Sequence, residues 1–313
     1  MKMQTLKSDL LLLLTAAIWG FAFVAQSVGM KYVGPFTFNG VRFALGSLSL
    51  VPLIFAFGRK GKLESDLGSG SKNVIIAGLT AGTVLFIAAS LQQIGLMETT
   101  AGKAAFITGL YIVFVPIAGI FLKQSLTVKN WCGTAVALIG LYFLCISDRF
   151  TISRGDLFEL MGAFFWAAHI LLIGHFSTRV DVLKLACLQF ATCSVLSLAT
   201  AAVFENMAAA GLVQAAAPIL YGGLCSVGVA YTLQIVGQKN AQPSHAAIIM
   251  SMETIFATFG GFLILNERLE PRGILGSALM FAGMLLSQGG SMAKKEQPES
   301  SIPPKRQEER DVI

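Results

Sequence analysis

Apolar residues run along this chain in long blocks, broken at regular intervals by short polar or Pro/Gly-containing stretches. A bilayer-spanning helix needs about 20 apolar residues, and the pattern predicts ten such helices. They fall at about 10–28, 35–57, 73–93, 103–122, 130–147, 157–175, 183–204, 215–236, 244–265 and 272–289. The breaks carry loop chemistry: Gly34-Pro35, the stretch from Gly58 to Lys72, Lys123 to Asn130, and Gln242-Pro243-Ser244. Asp9 and Asp156 stand just before apolar runs, where a helix N-cap is wanted. The first block, behind Lys2 and Lys7, has the outline of a signal peptide. Its apolar run continues through Trp19, Phe21 and Phe23 to Val28 without an A-x-A site, so it is expected to be a retained span. Residues 291–313 are polar and rich in Pro, Glu and Lys, and are predicted to form a disordered cytoplasmic tail.

Composition agrees with a chain whose solvent is largely lipid. Of 313 residues, 55% are apolar and 13% charged, whereas a soluble domain carries about 25% charge. Disorder, collagen-like repeats and an ordinary water-soluble enzyme are excluded. The five cysteines all sit inside apolar blocks, with no CxxC and no Cys/His cluster of zinc spacing, and are expected to be buried apolar side chains. No metal and no cofactor is expected. The net charge of +6 reflects the loops and implies no nucleic acid. With the N-terminus placed in the cytoplasm, 16 Lys and Arg residues fall on that side and 6 on the other, leaving Arg42 within a span. The positive-inside bias therefore predicts an even number of spans with both termini cytoplasmic.

The two halves of the sequence repeat. Asp9, Trp19 and Phe43 recur as Asp156, Trp166 and Phe190, each 147 residues later. Leu91-Gln92 recurs as Leu233-Gln234, and Gly133 and Gly140 recur as Gly276 and Gly283. The segment FLKQSLTVKNWCGTAVALIG lies over ILNERLEPRGILGSALMFAG without a gap. The predicted organisation is a first five-helix repeat over residues 1–147, a second over 155–290, and the tail over 291–313. Five is odd, so the second copy enters the membrane upside down. The expected fold class is an all-α integral membrane protein of ten transmembrane helices, built from two inverted-topology five-helix repeats around a central cavity. Such repeats place a binding site at their interface, and rocking that interface opens the site to either side. With short loops and no GxxxxGK[ST] phosphate loop, hence no nucleotide, this reads as a secondary transporter. Its expected partners are a small-molecule cargo and the lipid bilayer, and its expected state is a monomer or weak homodimer.

The chain also resembles the drug/metabolite transporter superfamily in its EamA-type ten-helix branch. The likeness is carried by AAIWGFAFV in span 1, NGVRFALGSL in span 2, TTAGKAAFITGLYIVFVPIAG in span 4, and AAIIMSMETIFATFGGFLILNERL with GSALMFAGMLL in spans 9 and 10. The resemblance implies a plasma-membrane (bacterial inner-membrane) permease or exporter of small metabolites, amino acids being common cargo, with the cavity between the halves. The family pattern has Pro after the Glu of span 9, whereas this chain has Glu253-Thr254, so span 9 is expected to be less kinked.

Ionisable groups inside spans are expensive and each requires a reason. Glu253, near the middle of span 9, is a candidate proton acceptor or partner for a cationic group, or else a protonated packing residue. Arg42 in span 2, with Asn39 one turn earlier, could grip a carboxylate or form a structural ion pair, Glu253 being one candidate partner. His169 in span 6 is a second proton-relay candidate, or a packing histidine. His175 and His245 near span ends are expected to be interfacial, and Glu159 is expected to snorkel from the outer end of span 6. Trp19 and Trp166 occupy matching mid-span positions, where they could line a cavity and stack on apolar or aromatic cargo, or simply pack. Gln92, Gln234, Tyr231, Thr108 and Tyr111 offer amides and hydroxyls suited to zwitterionic cargo or to helix–helix hydrogen bonds. Gly78-x-x-x-Gly82 marks close packing in span 3, and the glycine pairs of spans 5 and 10 are expected to pack within their own halves or at a dimer face. An uncoupled facilitator or channel would share the cavity but not the dependence on a proton gradient. An intramembrane enzyme would need paired acids, a Ser/His pair or HExxH, and no such pairing occurs.

Overall fold

The computed structural model describes residues 2–58, 71–122, 127–145, 153–266 and 271–293, and these are helical wherever they are regular. Span 1 is α1 (Lys2–Gly29), span 2 is α2 (Pro35–Gly58) and span 3 is α3 (Ser71–Gly95). Span 4 is split into α4 (Ala101–Gly109) and α5 (Tyr111–Phe121), and span 5 is α6 (Val128–Cys145). The second half follows the same order. Spans 6 and 7 are α7 (Arg154–Phe176) and α8 (Val182–Phe204), and a short α9 (Ala209–Gln214) leads into span 8. Span 8 is composite: α10 (Ala216–Leu220), a π-helical stretch (Tyr221–Tyr231) and α11 (Thr232–Gln238). Span 9 is α12 (Pro243–Met250) and α13 (Glu253–Leu265), and span 10 is α14 (Pro271–Ala293). Eight of these units are long and apolar enough to cross a membrane. Phe55, Phe121 and Phe204 stand exposed on the outside of the bundle, as side chains facing acyl chains do. Of the tail expected over 291–313, residues 291–293 continue α14 and the rest lies outside the described residues, as do residues 59–70 of the polar stretch between Gly58 and Lys72.

Local signals fix several helix starts. Ser153 and Asp156 form a reciprocal capping box at the head of α7, and Asp181 and Thr100 cap α8 and α4. Asp9 is not a cap: it lies inside α1 and its carboxylate sits 3.0 Å from His245 Nε2. His245 is accordingly buried rather than interfacial, and its Nδ1 lies 3.2 Å from Ser287 Oγ. Among the cysteines, Cys193 is buried but Cys132 is exposed.

The inverted repeat is written in the contacts. Ser47 Oγ donates to the Cys187 carbonyl (3.0 Å), and Ser194 Oγ donates to the Gly40 carbonyl (2.8 Å). A shift of 147 residues turns Ser47 into Ser194 and Gly40 into Cys187, so each bond becomes the other. Only an antiparallel crossing of α2 and α8 on a pseudo-two-fold axis produces that exchange. The crossing of α6 and α14 repeats the device. A Cβ on Gly133 would lie 2.7 Å from the Gly283 carbonyl oxygen, and one on Gly140 would lie 2.6 Å from that of Gly276. These glycines therefore join the two halves to each other, correcting the expectation of packing within one half or at a dimer face. Gly78 and Gly82 of α3 meet Leu188 and Thr192 of α8, as close packing in span 3 requires.

Span 9 breaks without proline. At Met252 the amide bonds to Ile249 O, three residues back, and at Leu110 the amide bonds to Ile107 O in the same way. The two breaks are equivalent positions of the repeat, 142 residues apart. The expectation of a less kinked span 9 is thus overturned: the break belongs to the duplicated backbone, and Thr254 instead ties it to span 4 through Oγ1 donating to the Ala105 carbonyl (3.1 Å).

Glu205 at the end of α8 closes the helix pair from the opposite side. Its carboxylate accepts from the amides of Phe36 (2.8 Å) and Thr37 (2.7 Å) and from Thr37 Oγ1 (2.7 Å), at the N-terminus of α2. That satisfies orphan donors in trans and meets the positive end of the helix dipole. Glu205→Ala is expected to cost about 1–2 kcal/mol, read as a lower melting temperature in detergent. Gly140→Leu is expected to cost about 1–3 kcal/mol by overpacking, and thermal unfolding of the purified variant checks it.

Candidate functional site

Between the halves lies a partly open cavity with about 440 Å³ of space between atoms, the solvent at its mouth included. Spans 1, 2, 3, 4, 6, 8 and 9 all contribute to its wall. Of the residues singled out in the sequence, Trp19, Arg42, Gln92, Thr108, Tyr111, Trp166, Tyr231, Gln234 and Glu253 line it. Asn39 and His169 do not. Asn39 stands behind Arg42, with Nδ2 donating to the Ala89 carbonyl (3.0 Å) and Oδ1 accepting from Arg42 Nε (3.0 Å). His169 is fully buried, with Nε2 3.0 Å from Gln189 Oε1.

Arg42 is 2% exposed, and among the described residues no carboxylate lies in ion-pair range of it. The expected pairing with Glu253 is therefore absent. The guanidinium carbon lies 4.9 Å from the Phe43 ring centroid and 5.5 Å from that of Phe38, contacts that partly offset the cost of burying a cation. Its Nε is occupied by Asn39, while its outer face belongs to the cavity wall. Glu253, 3% exposed, accepts from Tyr111 Oη at 3.0 Å. Tyr111 and Glu253 are themselves repeat equivalents, so this acid–phenol pair straddles the pseudo-two-fold axis.

An aromatic cluster surrounds Tyr231. Its ring centroid lies 4.6 Å from Trp19 and 6.1 Å from Trp166, stacked on the latter at 26°. Trp166 Nε1 donates to Gln92 Oε1 (2.8 Å). Symmetry would have Trp19 donate to Gln234, but its Nε1 reaches the Ser226 carbonyl (3.4 Å) in the π-helical stretch. The reason is one inserted residue. Gly82 packs on Thr192 and the Gln189 carbonyl as Gly223 packs on Leu45 and the Arg42 carbonyl, which makes Gly82 and Gly223 equivalent, 141 residues apart. Gly95 packs on Glu159 as Gly237 packs on Leu12, 142 residues apart. Span 8 thus holds one more residue than span 3 between matching contacts, and the wider π turn absorbs it. The insertion carries carbonyls of Ser226 and Ala230 to Trp19 Nε1 and Thr15 Oγ1 and sets Tyr231 between the two tryptophans.

Sequence reasoning missed Gln26, Phe23, Ala22, Ser226 and Ile170 in the wall. Gln26 stands two turns beyond Trp19 on one face of α1, a spacing that periodicity could have flagged. It also misplaced Glu159. That side chain does not snorkel: it is 0% exposed and accepts from Thr108 Oγ1 at 3.0 Å. His175 is exposed beside Arg179, in agreement with a place near a span end. Among the described residues no three His, Cys, Asp or Glu side chains gather as metal ligands.

A duplicated, inverted bundle enclosing one polar-and-aromatic cavity defines a multi-pass membrane transporter. Comparison with known proteins agrees. The EamA-like transporter family matches residues 6–146 and 153–288, one match for each half. The chain belongs to that family, within the drug/metabolite transporter superfamily. It is 31% identical to an uncharacterized transporter of Archaeoglobus fulgidus, across 90% of this chain and 86% of that one. It is 24% identical to the uncharacterized transporter YoaV of Bacillus subtilis, across 86% and 92% of the two chains. A probable terminal-alkyne amino-acid exporter of Streptantibioticus cattleyicolor shares 25% identity across 97% of this chain and its own full length. A solved crystal structure covering 93% of this chain superposes with a TM-score of 0.72 at 16% identity, and so shares the fold.

Deleting Val229 from the π turn is expected to leave helical content unchanged while removing the Trp19 acceptor. Circular dichroism should match the parent, and tryptophan emission should shift.

Proposed function

We propose that the protein carries zwitterionic amino acids with apolar or aromatic side chains across the plasma membrane by alternating access, in the export direction and coupled to protons. One observation carries the reading: Arg42, a buried cation with no carboxylate partner among the described residues, shares a cavity with Glu253. A bound amino acid completes both. Its carboxylate takes the free face of the guanidinium in a charge-assisted pair, its ammonium takes Glu253, and its side chain stacks against Trp19, Tyr231 and Trp166. The exporter of Streptantibioticus cattleyicolor supports the substrate class, and the mid-span Glu253–Tyr111 pair supports proton coupling. Rocking about the glycine-packed crossings of α2 with α8 and α6 with α14 opens the cavity to each side in turn. The Lys/Arg bias supports cytoplasmic termini.

Counterflow in proteoliposomes tests the substrate. Labelled amino acids, purines and cationic drugs are screened with and without a proton gradient, and saturable, gradient-sensitive uptake of amino acids is expected. Uptake that saturates but ignores the gradient would instead mark a facilitator. Arg42→Gln is expected to weaken amino-acid binding by about tenfold to a hundredfold, the loss of one hydrogen-bonded charge of about 1.5–3 kcal/mol. Glu253→Gln is expected to abolish pH-dependent transport and to weaken amino-acid binding in counterflow; rates that follow the parent across about pH 5–8 would remove Glu253 from the coupling step.

A further inference from the structure

We infer that Glu159 is a second proton-binding site, separate from the cargo-binding residues, which takes up protons through the end of the bundle marked by Asp156 and Lys103 and passes them to the cavity through Thr108. The inference rests on the proton-coupled reading above for its role in transport, though not for its existence. Glu159 is wholly buried in α7, at a position whose repeat equivalent, Leu12, is apolar. Packing does not require an acid there, since the other half packs the same place with leucine. Nor is the carboxyl group satisfied structurally: Oε2 accepts from Thr108, but Oε1 has no hydrogen-bond partner. A buried ionised carboxylate in that setting is costly, whereas a carboxylic acid is tolerated. Glu159 therefore rests as the neutral acid.

Its neighbours give it two outlets. Along α7, one turn away, Asp156 accepts from Lys103 Nζ (2.6 Å) and from Thr99 Oγ1 (3.2 Å), and the Lys103 side chain is 27% exposed. On the other side Thr108 lines the cavity, and Tyr111, one turn further along span 4, holds Glu253. The groups acting on Glu159 are Asp156 on its own helix, Thr108 from α4 and Glu253 from α13; Lys103 and Tyr111 stand one step further out, on Asp156 and Glu253. From α3 itself the close neighbour is Gly95, whose missing side chain makes room for the Glu159 carboxyl group: a Cβ there would lie 2.7 Å from Cγ and 2.8 Å from Oε1. When the Asp156 end opens and water reaches Oε1, the Glu159 carboxylate takes a proton from a hydronium ion there and becomes the neutral acid. After the carboxyl group turns over, its proton passes to the Thr108 hydroxyl, which gives its own to the cavity side and leaves Glu159 as the carboxylate. No other bond changes, and one proton crosses per cycle.

Infrared difference spectroscopy of the purified protein in liposomes, with pH stepped between about 5 and 9 and protons as the sole probe, reads the site directly. A carboxylic-acid carbonyl band is expected to change with pH in E253Q and to be missing in the E159Q/E253Q double variant. A band that persists in the double variant, or an E253Q protein without a titrating band, overturns the inference. Transport of labelled L-phenylalanine separates this outcome from failure of the functional reading. Across a gradient of one pH unit, one coupled proton sustains an about tenfold accumulation, which E159Q should lose while keeping counterflow. A parent that moves no amino acid, or moves it without accumulation, defeats the functional reading and leaves the infrared result to decide the site. Should E159Q fail to fold, T108V provides the second variant: it keeps the acid and its band but slows exchange with the cavity side.

Discussion

Two helix crossings hold this protein together, and both rely on close approach of backbones. Between helices in lipid the hydrophobic effect offers little, because acyl chains are as apolar as leucine. Cohesion must come from van der Waals contact at short range and from hydrogen bonds that lipid cannot supply. The crossing of α6 with α14 supplies the first through Gly133, Gly140, Gly276 and Gly283, whose missing side chains let helix backbones touch. The crossing of α2 with α8 supplies the second through Ser47 and Ser194, each reaching a carbonyl on the opposite helix. Both crossings lie on the pseudo-two-fold axis, so each half is fastened to the other by the same contacts used twice. Rigid crossings at the axis leave the remaining spans free to enclose a cavity.

Upon this symmetric frame the chemistry is one-sided. Arg42 corresponds to Gln189, Glu159 to Leu12 and Glu253 to Tyr111. The ends of the bundle differ as well: Asp156 pairs with Lys103, whereas its equivalent Asp9 pairs with His245. An inverted repeat needs matching shapes to visit two mirror-related states, but a cargo bound at the axis is not itself symmetric. The division of labour follows: small residues and carbonyl contacts are duplicated, while Arg42, Glu159 and Glu253 appear once. The single inserted residue of span 8 belongs to the second class. It disturbs one helix out of a matched pair and in doing so sets Tyr231 against both tryptophans.

Much of the architecture is legible in the chain because the bilayer imposes a length and a polarity on every span. Apolar blocks of bridging length, Gly/Pro breaks and recurring Asp, Trp and Phe anchors suffice for ten helices in two inverted sets. The cavity wall is partly legible for a related reason. A polar side chain in mid-span must find a partner in the protein interior, so Trp19, Gln92, Trp166, Gln234 and Glu253 could be found by depth alone. Depth does not give direction around the helix axis, however, and the same rule swept in Asn39 and His169, which sit one layer behind the wall.

Pairing was decided only by the tertiary structure. Whether Glu253 meets Arg42 or Tyr111 depends on how helices from opposite halves rotate, and separations of over a hundred residues carry no local trace of that. The burial of Glu159 beside Gly95 and Thr108 was hidden for the same reason, since a position near a span end reads as exposed until a neighbouring helix covers it. The break in span 9 without proline comes from a backbone shape shared with span 4. The π turn of span 8 emerges only when equivalent contacts, not equivalent letters, are aligned. Sequence by itself determined which residues must leave water and how many times the chain crosses, because transfer into lipid acts on each segment separately. The partners of the buried polar groups are a property of the assembled bundle, because a hydrogen bond forms only when two segments meet at the right distance and angle.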